Sequence, residues 1–186
     1  LAIADTTTLN ISGSDELAVT VATNTKLTTV DASAMTALAT LTLSNVTAGT
    51  AVTAGSGADT IVMGTKLGNT DVIDGGANPS ATLVDTLTAD VTGLTATTGA
   101  LTISNVEALN FTNTGTAVIN AAGITGANLI AVTGAAGTTT YSNLAEGAKV
   151  GLGFTDESGV AVTGTTTLAL ADETGTANAV TVNLGE

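Results

Sequence analysis

The chain has 186 residues, 44% of them apolar and only 2% aromatic, so any core it builds is thin and aliphatic. Sixteen carboxylates stand against three lysines and no arginine, and the resulting charge of −13 argues against nucleic acid and anionic membranes, whose binding needs clustered cations. Cysteine and histidine are absent, which excludes disulfides, thiolate metal sites and histidine-based triads within this chain.

Thr is the commonest residue, and Gly occurs 22 times against a single Pro, a composition that favours strands separated by turns. Residues 1–16 do not begin with Met and lack the basic and then apolar regions of an export signal, which reads as a piece of a longer polypeptide. No apolar run is long enough to suggest membrane insertion. Period-two alternation predicts strands at 17–23 (LAVTVAT), 39–45 (ATLTLSN), 99–105 (GALTISN) and 178–184 (NAVTVNL). The runs DASAMTAL at 31–38 and NAAGITGANL at 120–129 predict a single helical turn or a tight corner. They also belong to an internal echo, in which Val30–Ala37 aligns with Ile119–Gly126 and LTLS at 41–44 with IAVT at 130–133. Such an echo predicts stacked repeats with small residues in a narrow interior. From 135 onward, TTTYSNL, AKVGLGF, GVAVTG and TTLALAD read as short strands at the spacing of a β-sandwich. The expected fold is therefore all-β: a parallel β-roll or β-helix over 1–134, with 135–186 as a β-rich continuation or a small sandwich-like module.

One segment carries a chemical signature. Gly55-Ser56-Gly57-Ala58-Asp59-Thr60-Ile61 follows the pattern Gly-x-Gly-x-Asp-x-apolar found in calcium-binding nonapeptide repeats. Gly75-Gly76-Ala77 opens a second copy, whose ending, Asp85-Thr86-Leu87, is delayed by the inserted NPSATLV. Asp71-Val72-Ile73, followed by Asp74, is a fragment between the two. Calcium takes six to eight oxygens, and glycines let the backbone turn tightly and aim carbonyls at an ion. The candidate Ca2+ residues are Gly55, Gly57, Asp59, Asp71, Asp74, Gly76 and Asp85. The apolar residue two positions after each Asp is expected to face away from the ion and anchor the turn. The competing reading is that GSGADT and DGGANPS are ordinary loops of turn-forming residues.

AGSGADTIVMG, then TDVIDGG, then VDTLTADVTGL and LTISNVEALNFT resemble the RTX (repeats-in-toxin) class of bacterial surface-layer proteins, over about residues 54–133. The resemblance implies a calcium-loaded parallel β-roll, type I secretion and self-assembly into a lattice on a Gram-negative cell surface. Lipopolysaccharide or a glycan is the further partner it implies, through other regions. It carries calcium positions onto Gly55, Gly57, Asp59, Gly76 and Asp85, the last of them displaced from the pattern by the insertion. The alternative within the same class is a secreted adhesin module that binds a glycan or host surface.

Catalysis is not expected. Glu107 is a candidate acid, but its place in SNVEALNF favours a structural role at a strand edge. The acid pairs Asp156-Glu157 and Asp172-Glu173 read as solvated turns. Thr-x-Thr units begin at Thr6, Thr40, Thr86 and Thr163 without one fixed period, which argues against the regular hydroxyl array that ice binding requires.

Overall fold

Alternating side chains give each strand one apolar face, and a thin aliphatic core is reached when successive strands wind those faces around a common axis. The computed structural model describes residues 1–47, 49–78, 80–95, 99–133, 137–152, 164–172, 174 and 179–184. Five strands, β1 (Thr8–Gly13), β3 (Thr29–Met35), β5 (Ala51–Thr53), β7 (Val72–Asp74) and β9 (Thr102–Ser104), form one sheet in that order. Eight more, β2 (Leu17–Thr20), β4 (Ala39–Thr42), β6 (Thr60–Gly64), β8 (Thr86–Asp90), β10 (Ala108–Thr112), β12 (Leu129–Thr133), β14 (Lys149–Leu152) and β16 (Thr181–Leu184), form a second. The third sheet holds β11 (Thr116–Asn120), β13 (Thr138–Leu144) and β15 (Thr165–Leu170). Neighbours within each sheet are never consecutive in the chain, and every paired register is parallel. The molecule is a β-solenoid.

The core consists of columns of like residues. Leu41, Ile61, Leu87, Leu109, Ile130 and Val150 stand in register along the eight-stranded sheet, and each is at most 5% exposed. Across from them, Val30, Val52, Ile73 and Ile103 form a second column that passes to Ile124 by an isolated bridge. Chains of aliphatic contacts along both columns remove most of the core from water, at roughly 25 cal/mol per Å² of apolar surface.

Two local readings change in the folded chain. Residues 31–38 are strand up to Met35, because Val30 and Ala32 both face inward and the β3 ladder to β1 runs to Gly13↔Met35. Only the second run makes a helical turn, the 3-10 turn Ala121–Gly123 capped by the Asn120 side chain. The echo is half structural: Leu41 and Ile130 do share a column, whereas Val30 aligns with Ile124 and not with Ile119, which pairs with Tyr141. Beyond 135, β14 and β16 extend the eight-stranded sheet and β13 and β15 the third, so the described strands there are parallel, unlike the antiparallel pairs of a sandwich.

Candidate functional site

The corner between the five-stranded and eight-stranded sheets is where the Gly-x-Gly-x-Asp turn falls. Thr60 faces out and Ile61 faces in, so the period of two turns Asp59 inward as well, on the same side as Ile61. The expectation that the two would face apart is thereby corrected. Asp59 is fully buried, and both of its oxygens are engaged: Oδ1 accepts from Ala39 N–H at 2.6 Å and Oδ2 from Gly55 N–H at 2.9 Å. Gly57 lies against the strand-to-strand corner of the previous coil, where a Cβ would sit 2.6 Å from the Ala37 carbonyl carbon. The Gly55 carbonyl accepts from Ala77 N–H, and Gly76 takes φ +92 with no room for a Cβ against the Gly55 oxygen.

One coil further on, Asp85 repeats the arrangement. Its Oδ1 accepts from Asp59 N–H at 2.6 Å, and its Oδ2 from the Asn78 amide at 3.0 Å. Glu107 follows in the next coil, where Oε2 accepts from Asp85 N–H at 2.8 Å and from the same Asn78 amide at 2.9 Å. Ala39, Asp59, Asp85 and Glu107 are register-equivalent, since each directly precedes or opens a strand of one ladder. Burial, together with the nearby charges of Asp59 and Glu107, pushes the Asp85 carboxyl up to about 6 against hydrogen bonds that favour its ionised form. The Asn78 Oδ1 is buried and has no partner.

Asp71 occupies a different corner, before β7, and does the same work there. Its Oδ1 accepts from Gly49 and Thr50 N–H at 2.8 and 2.7 Å, and its Oδ2 from Gly68 N–H at 2.7 Å. Asp74 points outward from the five-stranded sheet and accepts from Gly76 N–H and the Asn105 amide. The sequence motif therefore gathers Gly55, Gly57, Asp59, Gly76 and Asp85 at one corner and leaves Asp71 at another. No group of three or more acidic side chains able to hold a metal ion forms among the described residues. The residues that the resemblance assigns to calcium do not fit an ion in this arrangement, because both oxygens of Asp59 accept from backbone N–H groups and those of Asp85 from a backbone N–H and the Asn78 amide.

Glu107 and Asn78 complete the corner. Glu107 stands at the strand edge that SNVEALNF suggested; Asn78 has no local signal, because it lies in the insertion that interrupts the repeat. Of the acid pairs, Asp172 holds Thr174 in a turn through its N–H and hydroxyl, which lowers its carboxyl below the ordinary range. Asp156, Glu157 and Glu173 lie outside the described residues. The single ion pair among the described residues, Lys26 with Asp5, is on the surface. Among the described residues, no helix is long and apolar enough to cross a membrane. No protein-family model, curated protein or solved structure matches the chain.

Proposed function

We propose that the chain is a structural, noncatalytic subunit of a bacterial surface layer that assembles with copies of itself. The observation that carries this reading is the outer face of the eight-stranded sheet. From β2 to β12 its two outward columns are uncharged: Thr40, Thr60 and Thr86 stack in one, and Thr42, Val62, Thr88 and Asn110 in the other. Asp90 lies at the margin, outside these two columns, and Lys149 is the first charge reached along them. The five-stranded sheet differs, because Asp31 and Asp74 project from its outer face.

On a chain of charge −13, like copies approach with least repulsion where no carboxylate intervenes. A flat face can meet a second copy of itself about a twofold axis. Six strands about 4.8 Å apart offer roughly 400 Å² a side, about half of what a standard stable interface buries. Contacts of that size are weak singly and hold when repeated across a lattice. On this reading the chain works outside the cell, and catalysis has no place in it. The same hydroxyl and amide groups of Thr40, Thr88 and Asn110 are the ground for the adhesin alternative.

Light scattering and electron microscopy of the purified protein test the proposal. Scattering that rises with concentration, ordered arrays on grids, and loss of both in a Thr42→Asp, Thr88→Asp variant are the expected results. A protein that stays monomeric at high concentration while binding a defined glycan would favour the adhesin.

A further inference from the structure

In a parallel ladder each N–H normally finds a carbonyl of the neighbouring coil. At the corner between the two large sheets the backbone bends away, and the N–H groups of Ala39, Asp59 and Asp85 are left without a ladder carbonyl. Carboxylates supply the missing acceptors in a fixed direction. Asp59 takes the N–H of Ala39, Asp85 that of Asp59, and Glu107 that of Asp85, each from the register-equivalent residue one coil nearer the N-terminus. Asp71 does so for Thr50 at the other corner. The carbonyls of Asp59, Asp85 and Glu107 meanwhile accept from Thr86, Ala108 and Leu129 in the following coil, so the backbone ladder continues on the other side.

In a calcium-loaded turn the carboxylates would face the ion. Here Asp59 faces inward at 0% exposure and spends both oxygens on N–H groups. Rotating it toward a cation would strand two buried donors, and each stranded donor is costly in a water-free interior. We infer that this corner is closed by a ladder of side-chain carboxylates in place of a cation, so that the Gly-x-Gly-x-Asp turn folds and holds its register without calcium. Self-assembly through the sheet face is a separate matter and does not decide it.

Amide hydrogen exchange by NMR on the whole chain tests the inference, in calcium and in excess chelator. The expected result is slow exchange of the Ala39, Gly55 and Asp59 amides that is unchanged by chelation. Asp59→Asn replaces one of the two acceptor oxygens by an NH2 donor that faces a backbone N–H, so protection should fall at least tenfold at Ala39 or Gly55 and persist at the Asp59 position itself, which Asp85 still caps. Glu107→Ala, at the partly exposed end of the ladder, gives a second reading if the first variant does not fold. It should release the Asp85 amide while leaving Ala39 protected. Protection of these amides that appears only with calcium, or calcium binding in the wild type that Asp59→Asn abolishes in titration calorimetry, would overturn the inference.

Discussion

Asp85 is the residue at which burial and repulsion act together. The chain keeps it among the carboxylates of Asp59 and Glu107, with the Asp59 N–H and then the Asn78 amide as its relief. Its folded carboxyl holds a proton to about pH 6, whereas the unfolded one releases it near 3.8. The contribution to stability is therefore complete below the unfolded value, declines as pH rises from about 3.8 to about 6, and is absent above. Thermal melts of the wild type should lose a few degrees across that window, and Asp85→Asn should melt with a visibly flatter profile. Parallel profiles would show that Asp85 is not the titrating group. That Asp59 and Asp85 share one corner was legible from Gly and Asp spacing alone, since those residue types build tight turns. What the carboxylates bind was not legible, because spacing does not say whether an acid faces an ion or a neighbouring N–H. Period two, applied from Ile61 back to Asp59, gives the inward direction.

Elements were read well where alternation was unbroken. β2, β4, β9 and β16 fall within the four alternating stretches, whereas 31–38 misled because small residues alternate less visibly than large ones. The Thr-x-Thr units at Thr40 and Thr86 showed no period because the insertion after Gly76 lengthens one coil. In the fold, Thr60 links them into a single column, although Val62, Ala108 and Asn110 still break up any regular hydroxyl array. The same elements set the cost of substitutions. Phe111 stands between Ala89 and Val132, a large side chain beside a small one in a fully buried layer. Phe111→Ala should destabilise by about 3–5 kcal/mol in chemical denaturation. Gly57→Ala forces a methyl onto the Ala37–Leu38 backbone and should cost about 2–3 kcal/mol. Gly93, at φ +80 with open space around it, is the control, and Gly93→Ala should cost only about 1 kcal/mol. Equal losses at the two glycines would mean that the corner does not pack as described.

For the molecule as a whole, composition pointed to a thin β-rich core, and the solenoid meets that demand by stacking inward residues of its strands in columns. The sequence echo suggested stacking but aligned Val30 with the wrong isoleucine, since two coils of unequal length separate in register while keeping similar composition. The uncharged outer face was not visible in the sequence at all, because its members are scattered over residues 18–131 and meet only once the coils stack. The absence of cysteine makes this face open to a direct measurement. A Val62→Cys variant carries its one thiol at the centre of the face, and Thr53→Cys carries one on the outer face of the five-stranded sheet near Asp31 and Asp74. Mild oxidation at high protein concentration should convert the Val62→Cys variant to a covalent dimer in high yield and leave the Thr53→Cys variant largely monomeric. Equal yields from the two, or a cross-link formed only by Thr53→Cys, would contradict assembly through the uncharged face.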